Sequence, residues 1–445
     1  MTKWKTILVG LTATVLALAS YVAWENSQTA EIVSELGLLE VDNGDAQFWL
    51  MQGPPNNRYI PCTVHYYFDR PLDDALVLSR LKALVAPYQM FKRNIVEVDG
   101  LPYWQTVEPD WRRNFHRLSA EEDIESVRIA ADYALSQPQE VGAGIPLFRS
   151  YLSADGRRLT FMWHHVISDL EGMFNKHARH LFQLDVERTR FGYQMGKKVE
   201  REQTDTTTAA RGARDFKEAL IERPLGFEAT GFEVRKLVLP VGDQELSALG
   251  SAVGLPMSDI FSFITVRAVT SYHESIEGGV PGGIRPVISP LSLRSSSLAT
   301  DEGNNRAIKP FPVVIPLERV EEMYQRIVSL APATGSYDRA GRMMKLARQF
   351  PVLETPLRKL GSPDYISNYF PLADVPLQIG EAKVSGHDLR VPMVPYERAK
   401  FAWSSYNGQV QLFLHTDPKL VNAELMTESF ERATAEVMSF LGPSQ

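Results

Sequence analysis

The chain of 445 residues contains one cysteine, Cys62. A single thiol makes no intramolecular disulfide and no cysteine metal cluster, so neither covalent staples nor a zinc ribbon hold this fold. Its place in the apolar run Tyr59 to Phe68 marks Cys62 as a small buried hydrophobe. Positive charge is also short: 47 Lys and Arg stand against 54 Asp and Glu, a formal net charge of −7. Without a basic excess the chain lacks the electrostatic footprint for a polyphosphate backbone, which argues against nucleic acid as a partner. The GxSxG nucleophile elbow, the Walker phosphate loop and GxGxxG are all missing. Gly278 to Gly283 is glycine-rich, but Pro281 interrupts it and no strand pattern precedes it, so it reads as a loop. No short-period repeat is present, which excludes solenoids and propellers.

What is present suffices for a large core: 44% of residues are hydrophobic and 23% charged. Near the amino terminus Thr6 to Trp24 carries no charge and, at roughly 1.5 Å per residue, reaches close to the thickness of a bilayer core. Residues 1–30 are therefore expected to be a single-pass membrane anchor or a signal segment. Ala17-Leu18-Ala19 before Ser20 suits signal cleavage, whereas the apolar run continues past it through Tyr21, Val22 and Trp24, which suits an uncleaved anchor. Lys3 and Lys5 precede the run and acidic residues follow it, so the positive-inside bias sets the body across the membrane from the amino terminus.

Residues 196–215 lose apolar periodicity and read as a crossover linker between two mixed α/β halves, 41–195 and 216–445. In the first half Cys62 to Phe68 reads as a strand, and Asp73 to Val85 and Ala120 to Leu135 as helices. Phe148 to Leu152 and Arg158 to His164 read as a hairpin closed through Asp155-Gly156. From Asp169 the period changes, and Leu170, Met173, Phe174, His177, Leu181 and Leu184 define an amphipathic helix. In the second half Ser258 to Tyr272 reads as a helix and Val313 to Ile315 as a short strand. Asn407-Gly408 is a type I′ turn signal between Lys400–Tyr406 and Gln409–His415, and Val421 to Leu441 closes the chain as a helix. An interface between two such halves is a favoured place for a ligand site.

The densest polar cluster in an apolar setting is His164-His165-Val166-Ile167-Ser168-Asp169. Strand alternation points the two imidazoles to opposite faces, so one of them faces a given cleft. An imidazole titrating near neutrality is the natural general base for a hydroxyl or amine. Asp169 either orients that imidazole or caps the following helix and pairs with a distant arginine. The same residues also fit a pair of hydrogen-bonded core histidines ahead of a helix cap. His177 and His180 have i, i+3 spacing, but no second cluster completes a ligand set, and no metal site is expected.

The HHxxxD segment, in order with Pro146-Leu147-Phe148, Glu108-Pro109-Asp110-Trp111, Ser258-Asp259, Pro290-Leu291-Ser292-Leu293-Arg294, Gly303-Asn304-Asn305 and Ser367-Asn368, resembles the wax ester synthase/diacylglycerol acyltransferase family. That family lies within the CoA-dependent acyltransferase superfamily, with chloramphenicol acetyltransferase and condensation domains. The resemblance covers roughly Gln47 to Leu441. It implies two chloramphenicol acetyltransferase-like α/β halves forming a pseudo-dimer with a tunnel between them. It also implies that His165, beside His164, is the base that takes a proton from an acceptor hydroxyl attacking an acyl thioester. Asp169 would hold the histidine loop with Arg294 as its partner, and Ser258, Asn368 or a backbone amide would donate to the oxyanion, with Ser367 beside Asn368. The implied partners are acyl-CoA as co-substrate, with no resident cofactor, and a lipophilic alcohol or diacylglycerol. A carrier-protein thioester with an amine acceptor, or lipid binding without turnover, are the rival readings. The pattern departs from the family at Leu170, where a glycine is usual, at Ser258 for asparagine, and at Tyr369-Phe370-Pro371-Leu372 for VPGP. The external body also conflicts with a cytosolic acyl-CoA.

Overall fold

The computed structural model describes residues 27–52, 59–184, 232–276, 286–291, 307–313, 317–330, 333–334, 336–350, 363–393 and 397–442. The expected anchor or signal run Thr6 to Trp24, the linker 196–215 and the glycine-rich loop lie outside the described residues. Among those described, no single helix is long and apolar enough to cross a membrane.

After a helical segment at 27–35 the first half runs through β1 (Leu39–Glu40), α1 (Asn43–Leu50), β2 (Pro61–Phe68), α2 (Asp74–Val85), β3 (Arg93–Val98) and β4 (Leu101–Thr106). It continues with β5 (Phe115–Arg117), α3 (Ile124–Leu135), β6 (Phe148–Leu152), β7 (Arg158–His164) and α4 (Leu170–Lys176), which passes into a π-helical turn, His177–Leu181. The second half begins with β8 (Glu233–Gly242), α5 (Asp243–Val253), α6 (Met257–Ser275), β9 (Val287–Leu291), β10 (Ala307–Phe311), α7 (Val320–Val328), β11 (Ala333–Thr334) and α8 (Ser336–Gln349). It ends with β12 (Tyr365–Ala373), β13 (Gln378–Ile379), β14 (Ala382–Arg390), β15 (Ala399–Tyr406), β16 (Gln409–Thr416) and α9 (Ala423–Leu441).

Local chemistry explains most boundaries. Asp73, Asp123, Asp169 and Asn422 each use a side-chain oxygen to accept a backbone N–H of the first helical turn, which starts α2, α3, α4 and α9. The third helix thus begins at Ile124, four residues later than its apolar pattern suggests. Asn407 and Gly408 both have positive φ, 48° and 81°, the backbone a type I′ turn requires between β15 and β16. Most of the strand expected over Val313 to Ile315 lies outside the described residues; just before it, Ala307–Phe311 forms a strand that pairs with β9.

A six-stranded sheet of order β13-β14-β2-β7-β6-β5 forms the first half, and a seven-stranded sheet of order β11-β10-β9-β12-β15-β16-β8 the second. The halves exchange chain: β14, from the second half of the sequence, pairs antiparallel with β2 from Val384↔Phe68 to Arg390↔Thr63. Strand β14 buries His387 and Leu389, so the boundary between 41–195 and 216–445 is one of sequence and not of sheets. Two apolar cores result. One spans the first half and takes in Met344, Phe370, Leu372, Ala402 and Phe413 from the second; the other lies between α6, α9 and the outer face of the seven-stranded sheet.

Candidate active site

Strand β7 is buried along nearly its whole length and ends at His164, where the chain turns into the cap of α4. His164 closes the strand and His165 opens the turn that follows, and their environments differ.

His164 is fully buried. Its Nδ1 accepts the N–H of Val166 at 3.1 Å and its Nε2 donates to Gln52 Oε1 at 2.9 Å, while Gln52 in turn donates to the carbonyl of Ser136 at 3.2 Å. Both ring nitrogens are used by neutral imidazole. Burial, reinforced by the neighbouring His165, pushes its pKa down to about 3. His164 is thus a buried ring with both nitrogens hydrogen-bonded.

His165 keeps partial exposure. Its backbone N–H donates to Ile60 O at 3.0 Å, which ties it to the entry of β2. Its ring lies flat on Phe48 of α1, with centroids 4.0 Å apart and planes 12° apart. The next residue on α1, Trp49, contacts His164 at 5.0 Å and anchors its indole N–H on Glu97 at 2.6 Å. One short helix therefore touches both histidines through Phe48, Trp49 and the adjoining Gln52. These three were not singled out in the sequence; the available signal was an aromatic pair behind Asp42, which caps the helix through Asp45 N–H.

Asp169 accepts the Gly172 N–H at 2.8 Å as the cap of α4. Its carboxylate fixes the end of the HHxxxD loop to a helix that packs against β12. The proposed partner Arg294 lies outside the described residues. Leu170, where a glycine is usual, is buried in the first core.

Ser367 and Asn368 separate by strand alternation. Ser367 Oγ lies 3.0 Å from Thr265 Oγ1 of α6, on the outer face of the sheet with Tyr365 and Tyr369, and Ser258 opens that same helix. Asn368 shares the inner face with Phe370 and Leu372, which belong to the core of the first half. The structure thus sets Asp169 at the start of a helix that packs against β12, the strand of Asn368, and places Ser367 in the second core. Asn368 Oδ1 is buried with no hydrogen-bond partner among the described residues. Ser258 is buried, and its neighbour Asp259 is paired with Lys309 at 2.6 Å, an ion pair that ties α6 to β10.

The spaced histidines of the following helix are used internally: His177 Nδ1 meets Tyr66 OH at 2.8 Å and His180 Nε2 meets Tyr88 OH at 3.1 Å. Among the described residues no group of His, Cys, Asp and Glu is arranged to hold a metal ion.

No family model and no curated protein matches this chain. Solved structures do. The starter condensation domain of rhizomide synthetase, solved with C8-CoA and Leu-SNAC, superposes with a TM-score of 0.58 at 15% identity over 93% of this chain and 96% of that one. The first condensation domain of the CDA synthetase superposes with a TM-score of 0.56 at 17% identity, over 92% and 97% of the two chains. A wax ester synthase/diacylglycerol acyltransferase from Marinobacter aquaeolei VT8 gives 0.48 at 16% identity, over 91% and 100%. Over nine-tenths of its length this chain has the two-halved α/β fold of a condensation domain.

Proposed function

We propose that this protein is an acyltransferase that moves an acyl group from a thioester to a nucleophilic acceptor, with His165 as general base. The observation that carries the reading is the difference within the histidine pair: His164 is fully buried with both ring nitrogens hydrogen-bonded, whereas the neighbouring His165 keeps partial exposure. The fold adds support, since its solved neighbours include condensation domains holding C8-CoA.

In this mechanism an imidazole nitrogen of His165 takes the proton of the acceptor O–H as that oxygen attacks the thioester carbonyl. The tetrahedral oxyanion collapses, the C–S bond breaks, and the imidazolium returns the proton to the departing thiolate. An acyl-CoA and an alcohol become an ester and free CoA, with no acyl-enzyme. Asn368, with its amide at the junction, is the proposed oxyanion donor, with Ser258 as the alternative. The proposed donor is acyl-CoA and the proposed acceptor a lipophilic hydroxyl such as diacylglycerol. The resemblance to condensation domains favours a second reading, in which a carrier-protein thioester acylates an amine.

Purified protein incubated with acyl-CoAs of graded chain length, with alcohols and diacylglycerol, is expected to release thiol only when acceptor is present, with ester detected by mass. His165→Ala is expected to lower turnover by about 10²–10⁴-fold, the usual contribution of a general base, while its circular dichroism stays unchanged. Near-normal turnover in that variant removes His165 from the mechanism. Activity confined to a pantetheinylated carrier protein and an amine selects the second reading.

A further inference from the structure

The ring that stacks on His165 belongs to α1, and α1 is held in place from the other half of the molecule. Helix α8 packs across it at a contact of backbone on backbone: a Cβ at Gly341 would overlap the carbonyl of Asn43, the first residue of α1. Only a residue without a side chain permits this approach. One turn further on, Lys345 Nζ donates to Glu40 Oε1 at 2.9 Å and to the carbonyl of Val41 at 3.0 Å, immediately before the cap of α1. Met344, between them, is buried in the core that holds Trp49, Leu50 and Met51. Three points on one face of α8 thus fix the position of an eight-residue helix that is too short to hold itself in place.

We propose that Gly341 and Lys345 are positioning residues for His165, acting through α1 and the face of Phe48. Helix α8 sets where α1 lies, α1 sets the plane of Phe48, and the stack sets the plane of the imidazole. A flat aromatic contact restricts rotation of the smaller ring about its side-chain bonds without occupying either nitrogen itself. It also makes the geometry of a residue in the first half depend on the packing of the second. The proposal rests on His165 being the base, but the ring's position can be read without turnover.

The test uses the full-length chain labelled at histidine, with the His165 ring signals assigned by their disappearance in His165→Gln. A proton over an aromatic face is shifted upfield, so Phe48→Leu is expected to move the His165 ring signals downfield and Phe48→Tyr to return them. Lys345→Ala and Gly341→Ala are expected to move the same signals in the same direction, while those of His273, bonded to Tyr365 of the second core, stay fixed. With a donor and acceptor that the wild-type protein turns over, both α8 variants are expected to lower kcat by about tenfold with little change in KM, as misplacement of a catalytic group does. A folded Lys345→Ala with unmoved His165 signals and unchanged kcat overturns the proposal, whether or not Gly341→Ala folds. Shifted signals in a protein that shows no turnover with any donor uphold the relay and overturn the acyltransfer reading instead.

Discussion

Of two adjacent histidines, one closes a strand and the other opens the turn after it, and burial sorts them. HHxxxD was legible in the sequence as a motif, and alternation was enough to say that its imidazoles part company. Which ring is sealed was not legible, because Gln52 and Ser136, which complete the bonding around His164, are far from it in sequence. The same holds for Phe48, whose place on His165 depends on packing between segments more than a hundred residues apart. The sorting makes a prediction. His164→Ala leaves a cavity beside Trp49 and strands the Val166 N–H, and is expected to cost about 2–5 kcal/mol. His165→Ala removes a partly buried stacked ring and is expected to cost about 1 kcal/mol. Urea melts of the two variants check this, and equal losses would contradict the structural assignment of His164.

Elements whose chemistry is local were readable from the sequence, and those defined by distant pairing were not. The hairpin of β6 and β7, the turn at Asn407-Gly408 and the helix starts after Asp73 and Asn422 all follow from neighbouring residues. Strand β14 has no such signal: it joins β2 across more than 300 residues of sequence, and nothing in residues 382–390 announces that partner. The periodic run from Leu170 to Leu184 predicts one helix, yet the structure has α4 followed by a π-helical turn that places His177 against Tyr66 and leaves Leu184 beyond it. Asp169 can be tested at this scale. As the cap of α4 it is expected to contribute about 0.5–2 kcal/mol, lost in Asp169→Ala and largely recovered in Asp169→Asn, which keeps an oxygen for the Gly172 N–H. If Asn behaves like Ala in thermal melts, the charge of Asp169 matters more than its cap.

The whole molecule buries much of its histidine. Burial holds His164, His177, His387 and His415 at a pKa of about 3 and His65 and His273 at about 4, against an ordinary value of 6.5. Each ring also has a hydrogen-bond partner, Ser404 for His387 and the Val391 N–H for His415 among them. For a base whose folded pKa is depressed, the unfolded chain binds the proton first. The stability these six contribute is therefore complete above pH 6.5 and is lost as the pH falls from there toward 4 and below. Asp132 works the other way: burial raises its pKa to about 6, so the folded state takes up its proton before the unfolded one. Five net protons then correspond to a slope of at most roughly 7 kcal/mol per pH unit, enough to exhaust a typical folding free energy within one to two units. The expected outcome is a steep acid transition near pH 5, with loss of tertiary signal and uptake of several protons. Replacing His387, whose Nε2 meets Ser404 across the boundary between β14 and the seven-stranded sheet, by Gln should shift that transition to lower pH by removing one titrating group. A transition below pH 3.5, or one that His387→Gln leaves in place, would mean that the buried histidines are protonated without unfolding and that the junction of the halves admits water.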